Sequence, residues 1–237
     1  MFTHRDDFVH SRSLRESLKR GLARQAIDAA DRAAPDLPDL LRMAAGLRPN
    51  AKARERVARR LKLRPGVSRV VLARDGKGLT FTIRAVRALD TRVGGRTAFH
   101  ETGLVYLRAE VRNPGPSIDC RLSAVSFCGH ALERLVERSD LDLRAALLPQ
   151  VDVEAEAIFR GWDRAARIED AGDEYYRAAR SGLWAGGHDE MAPDQGWNLS
   201  GGRGALPLFS ARTFLSEAEM RPTVWLRWRD DPLCRMG

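Results

Sequence analysis

Residues 68–86 read SRVVLARDGKGLTFTIRAV, and in the second half of the stretch the apolar positions recur every second residue. Phe81, Ile83 and Ala85 alternate with Thr80, Thr82 and Arg84, the pattern of a strand with one buried face. Between the two apolar runs, Arg74-Asp75-Gly76-Lys77-Gly78 supplies the residues of a tight turn, so the stretch predicts a hairpin of 68–73 with 79–86. Downstream, 103–112 (GLVYLRAEVR) reads as a third strand after a loop over 91–97 that holds Gly94-Gly95, and Asn113-Pro114-Gly115-Pro116 ends it. Residues 118–125 (IDCRLSAV) make a fourth. The result is an antiparallel meander that runs directly into helical spacing from Phe127.

Upstream the spacing is helical throughout. Leu14, Leu18, Leu22, Ala26 and Ala29 (or Ala30) form the stripe of an amphipathic helix over 11–33, which Pro35 and Pro38 end. A short helix follows over 39–47, with Asp36 or Asp39 as its cap, and Asn50 caps a third over 51–64. Arg64-Pro65-Gly66 is the clearest linker signal in the chain. Beyond the meander, 152–180 has a helical composition, 182–204 is loop-rich, and 206–214 (LPLFSARTF) reads as a strand. Ser216 and Glu219 have capping-box spacing, and 223–229 (TVWLRWR) alternates as a last strand would. The expected class is α+β, with an N-terminal basic helical segment over 1–65 followed by a mostly antiparallel sheet packed against helices over 66–237.

The charge is unevenly placed. Of a net +8, residues 1–70 hold 17 Lys+Arg against 8 Asp+Glu, a net of +9, while the remaining residues hold 23 against 24, a net of −1. The third helix concentrates this excess, with Lys52, Arg54, Arg56, Arg59, Arg60, Lys62 and Arg64 against a single Glu55. Lys52, Arg56, Arg59, Arg60 and Lys62 are the expected nucleic-acid contacts, because a basic helix face suits a phosphate polymer. The other reading is a solvated helix docked by the narrow stripe of Ala53, Val57, Ala58 and Leu61. Arginine outnumbers lysine 36 to 4, a bias that a GC-rich genome also imposes.

The first ten residues carry two aspartates and no apolar run, so no secretory signal is expected. No apolar run reaches the roughly 20 residues of a membrane helix. Cys120, Cys128 and Cys234 form no CxxC pair, and reduced thiols in a cytoplasmic protein account for them most simply. No cofactor loop is recognisable, and no cofactor is expected.

One segment carries side chains suited to chemistry. A helix over 127–139, capped by Ser126, places His130, Arg134 and Arg138 within an arc of about 80°, away from Leu132, Leu135 and Val136. Imidazole moves protons near neutral pH, and guanidinium groups hold a phosphate and the charge that builds on it. Together they suit attack by a ribose 2′-OH on its own phosphate without a metal. The same face reads equally as a solvated one, its arginines paired with Glu133 and Glu137. Weaker constellations are a zinc site from Cys120, Cys128, His130 and Cys234, acid/base work by His188-Asp189-Glu190 or His100-Glu101, and base stacking by Trp184, Trp197, Trp225 and Trp228.

The string Phe127–Arg138, FCGHALERLVER, resembles the S-x-H-A-x-x-R-x-x-x-R helix of the RelE-like and barnase/colicin-like ribonuclease toxin families, with Cys128 at the serine position. The resemblance implies a small sheet packed on helices and metal-independent RNA cleavage. It assigns the catalytic histidine to His130 and the arginines to Arg134 and Arg138, and it matches Arg212 and Thr213 to a late strand carrying arginine and threonine. The leading expectation is therefore a cytoplasmic RNA-acting protein of toxin-like ribonuclease type. The rivals are a non-enzymatic nucleic-acid-binding protein using 51–64 and an interaction protein, of phage defence or secretion, that docks a partner through the N-terminal helices.

Overall fold

The computed structural model describes residues 4–46, 50–93, 96–112, 119–191 and 205–230. The α+β class holds: among the described residues six α-helices accompany an eight-stranded, mostly antiparallel sheet, and three of the helices precede it. In chain order the elements are α1 (His4–Arg32), α2 (Leu37–Ala45), α3 (Ala51–Lys62), β1 (Val67–Leu72), β2 (Gly78–Val93), β3 (Arg96–Arg112), β4 (Asp119–Cys128), α4 (Gly129–Arg138), α5 (Leu147–Asp163), β5 (Ile168–Asp170), β6 (Asp173–Arg177), β7 (Leu183–Met191), β8 (Leu206–Leu215) and α6 (Pro222–Asp230). The strand order is β1-β2-β3-β4-β8-β7-β6-β5. No helix among the described residues is long and apolar enough to cross a membrane.

The chain divides into two compact units, each assembled from separate segments. One comprises Met1–Ala29, Phe127–Gly186 and Ala211–Gly237, and the other Ala30–Ser126 and Gly187–Ser210. Residue 65 falls inside the second unit. Gly66 there is a tight turn: its φ is +72, and a Cβ would meet the Ala33 carbonyl at 2.5 Å and Pro35 at 2.8 Å.

In the second unit the period-two pattern is realised as expected. Phe81, Ile83 and Ala85 are fully buried and pack with Val105, Leu107 and Ala109 from β3 against Leu37, Leu40 and Ala44 of α2 and Ala58 and Leu61 of α3. The Asp36 carboxylate caps α2 by accepting from the Asp39 amide at 3.0 Å, and Asn50 caps α3 by accepting from the Lys52 amide at 2.9 Å. The β2–β3 ladder is longer than the pattern suggested. It runs from Gly78 opposite Arg112 to Val93 opposite Arg96, so the expected loop over 91–97 is strand on both sides of Gly94-Gly95, which lie outside the described residues. Asn113–Ile118 lie outside them as well.

In the C-terminal part of the chain three expectations are corrected. The helical reading of 152–180 fails after Asp163, where β5 and β6 form a hairpin. Ala171 and Gly172 turn it with φ of +52 and +86, the two positive angles of a tight two-residue turn. The loop expected over 182–204 begins as strand β7, while 192–204, with Pro193, Trp197 and Gly201-Gly202, lie outside the described residues. The last strand expected over 223–229 is helix α6. Pro222 starts it, Val224 and Trp228 are buried four residues apart, and Arg229 lies over the Trp225 ring at 4.4 Å.

Trp184 is the pivot of the first unit. Its ring meets Phe127 at 4.8 Å and Phe214 at 5.2 Å, both edge-on, and its indole N–H donates to Glu154 Oε2 at 2.9 Å. The Glu154 carboxylate also accepts from the Ala179 amide at 2.9 Å. Burial pushes its pKa up, against the opposing hydrogen bonds from Trp184 and the Ala179 and Arg180 amides. Gly182 is required here, since a Cβ on it would meet the Leu215 carbonyl at 2.7 Å as well as the Phe214 ring.

Candidate functional site

Helix α4 starts two residues later than its sequence suggests, and Cys128, not Ser126, caps it. The Cys128 Sγ accepts from the Ala131 amide at 3.3 Å and points its own S–H toward the Arg212 carbonyl at 3.7 Å. Ser126 is buried in β4. Thiol thus takes the place of the hydroxyl that the resemblance expects, and it does the same capping work. Ala131, Leu132 and Leu135 are buried, which turns His130 to solvent and leaves Arg134 and Arg138 half-buried.

The three residues do not point at one empty space. Arg134 Nε donates to His130 Nε2 at 3.3 Å, so the histidine's accepting nitrogen is engaged. The same guanidinium pairs with Glu137. Arg138 turns instead toward the end of β8, donating to the Phe214 carbonyl at 2.8 Å and pairing with Glu219 at 2.8 Å. Glu219 belongs to the short 3-10 turn Glu217–Glu219, where it completes the capping box with Ser216 that the spacing predicted. Arg212 is exposed and Thr213 half-buried, and the Arg212 carbonyl accepts from the Cys128 thiol that caps α4.

Lys19 of α1 closes the network. Its ammonium meets Glu16 at 2.7 Å and Glu137 at 3.4 Å although the residue is only 8% exposed. The alkyl stem occupies a buried position on α1 while Leu18, expected in the apolar stripe, is 48% exposed. The buried line is Lys19, Ala23, Ala26 and Ala30: Ala26 and Ala30 stand as expected, while Lys19 and Ala23 take the places expected of Leu18 and Leu22. Glu137 is held below the ordinary carboxylate range: partial burial alone would raise it, and the hydrogen bonds and charges of Arg134 and Lys19 more than offset that. Lys19, Arg134 and Arg138 are thus balanced by Glu16, Glu137 and Glu219.

Helix α3 is arranged differently. Lys52, Arg56, Arg59, Arg60 and Lys62 are all exposed. Arg59 pairs with Glu55 at 3.5 Å. Among the described residues no carboxylate lies within ion-pair distance of Lys52, Arg56, Arg60 or Lys62. Arg54 turns inward and donates to the Gly76 carbonyl in the β1–β2 turn, while Arg64 pairs with Asp39 at 3.1 Å. At about 100° per residue, Lys52, Arg56 and Arg60 share an arc of about 80°, and Arg59, Glu55 and Lys62 follow on the flank next to β1.

Among the described residues no group of three His, Cys, Asp or Glu side chains could hold a metal ion. Cys120 is exposed and Cys128 is committed to its cap, while Cys234 and the side chains of His100 and Glu101 lie outside the described ones. His188 sits in β7 with its ring 5.4 Å from Phe209. Comparison with protein-family models, curated proteins and solved structures found no match in any of the three.

Sequence reasoning missed Lys19, Glu219 and the outer edge of β1. Lys19 had a local signal in Glu16, three residues before it. Glu219 had one in its capping box, but nothing local said that it would also meet Arg138.

Proposed function

We propose that the protein binds nucleic acid, RNA first, through the outward face of α3. The observation that carries this reading is the exposure of Lys52, Arg56 and Arg60 on one arc with no internal carboxylate among the described residues. A cation without an internal partner keeps its attraction for phosphate and displaces a condensed counterion when it binds. Arg59 and Lys62 extend the same field along the flank of the helix. The N-terminal segment supplies the excess positive charge of the chain, so the field is not cancelled locally. The protein would act in the cytoplasm, where Cys120 stays reduced.

The test is anisotropy of labelled single-stranded RNA and duplex DNA, titrated with wild type and with a Lys52/Arg56/Arg60 triple alanine variant across a range of salt. The slope of log K against log salt is expected to fall by about 2 for the single strand when three phosphate contacts are lost. An unchanged slope would sink the reading.

Cleavage of RNA at His130 is a second reading, favoured by the hydrogen bond that orients the imidazole on Arg134. His130 would move the proton of the ribose 2′-OH once Arg134 passes from Nε2 to the phosphate. Total RNA incubated in EDTA with wild type and His130→Ala decides it. EDTA-resistant cleavage that disappears in the variant supports the reading, and intact RNA throughout ends it.

A further inference from the structure

Among the described residues strand β1 is the end strand of the sheet and pairs only with β2. Its hydrogen-bonding phase follows from one contact: the Ala73 amide donates to the Gly78 carbonyl at 2.9 Å. In an antiparallel ladder such pairs alternate, so Val71 opposite Thr80 and Arg69 opposite Thr82 bond inward. Val70 opposite Phe81 and Leu72 opposite Leu79 then turn their N–H and C=O groups outward, and no described strand takes them.

This edge borders a groove of about 420 Å³. Val70, Val71 and Leu72 form its strand wall, and Ala58, Arg59 and Lys62 line it from α3, with Glu55 beside Arg59. The groove therefore offers a ladder of backbone donors and acceptors, an apolar floor where the core residues Val70 and Ala58 reach the surface at 7% and 8% exposure, and a positive rim on which Lys62 meets no carboxylate among the described residues. Val71 is 43% exposed and Leu63, just beyond α3, is 84% exposed.

We propose that β1 and α3 together receive an extended, acidic segment of a partner protein, which adds to the sheet as a further strand. The ladder supplies affinity, and alternate side chains supply selection. Apolar residues of the segment would face Val70 and Ala58, and carboxylates would face Lys62 and Arg59. A second copy of this chain fits poorly, because β1 against β1 brings two sets of Arg59, Lys62 and Arg69 to one edge, a use of charge that keeps edges from self-pairing. Nucleic acid lacks the alternating backbone donors and acceptors that Val70 and Leu72 would meet. The inference does not rest on the nucleic-acid reading, whose deciding residues Lys52, Arg56 and Arg60 do not line the groove, although Arg59 and Lys62 border both surfaces.

The test uses the full chain and two labelled peptides, one alternating glutamate with valine and one alternating lysine with valine, read by anisotropy and by backbone amide shifts. The glutamate peptide should bind saturably, at least tenfold tighter than the lysine peptide, and should shift the Val70 and Leu72 amides. Leu72→Pro removes one outward N–H, keeps the inward ladder bonds, and leaves Val71 extended as a strand requires. It should cost at least tenfold, and the Lys52/Arg56/Arg60 variant should bind the peptide as wild type does. If Leu72→Pro does not fold, Lys62→Glu carries the test and should narrow or reverse the preference between peptides. Equal binding of the two peptides, no binding at millimolar concentration, or an unaltered preference in Lys62→Glu overturns the proposal. Self-association that Leu72→Pro abolishes would assign the edge to a second copy and overturn it too, as would RNA shifting these two amides when the glutamate peptide does not.

Discussion

Helices α3 and α4 look alike as sequences. Each is short, capped at its start, rich in arginine on one face and basic in its last turn. Their cations meet different surroundings. On α4, Arg134 finds Glu137, Arg138 finds Glu219 and the Phe214 carbonyl, and the buried Lys19 completes a balanced network. On α3, a single Glu55 serves Arg59 while Lys52, Arg56, Arg60 and Lys62 meet no carboxylate among the described residues. An arginine face is thus a mortise in one place and an open positive field in the other. What separates them is the supply of carboxylates, Glu137 from α4 itself and Glu219 and Glu16 from other segments, which no count of arginines reports.

The sharpest way to break this contrast is to remove the open field. Replacing Lys52, Arg56 and Arg60 with alanine should weaken single-stranded RNA binding about 100-fold at 0.1 M salt, equally across sequences, as anisotropy would show. Second comes the mortise. Arg138→Ala should lower unfolding free energy by about 1.5–3 kcal/mol in urea titrations, since it removes charged hydrogen bonds that join α4 to the end of β8, and should leave RNA affinity unchanged. RNA affinity falling with stability intact would instead make α4 a binding face.

A smaller effect is expected from Glu137→Gln. Because the folded carboxyl lies below its ordinary range, its contribution is fully present above the unfolded value, about 4.3, and fades as pH falls through the folded one. The variant should therefore lose under about 1 kcal/mol at pH 7, given that the pair is partly exposed and screened, and should match wild type at strongly acid pH. Thermal melts over a pH series measure the convergence. The smallest effect belongs to Arg60→Ala, whose unfolding free energy should stay within about 0.5 kcal/mol of wild type, because no partner among the described residues is lost. A larger loss would mean that α3 is held by its charges and not by Ala58 and Leu61.

Much of the architecture could be read from local pattern. The two-residue period of 79–86, the turn before it and the caps Asp36 and Asn50 each depend on a few neighbouring residues, and each stands as expected. The same local reading failed where alternation and helical spacing overlap. In 223–229, Val224 and Trp228 four apart and Trp225 and Trp228 three apart keep a helical spacing that the aromatic-rich composition concealed, and Pro222 starts the helix. In 164–180, charged and alanine-rich composition concealed a hairpin whose only local sign was Ala171-Gly172.

The sequence by itself determined the class of the fold, the position of the positive charge and the helical face shared by His130, Arg134 and Arg138. Periodicity and formal charge are properties of neighbours along the chain, so they are legible without folding. Tertiary structure decided what each charge does and which strand edge stays open. Glu219, Phe214 and Lys19 reach α4 from 76 or more residues away along the chain, and whether a strand has a neighbour depends on the order of the whole sheet. Pairing of that kind is fixed by packing in space, and no local pattern carries it.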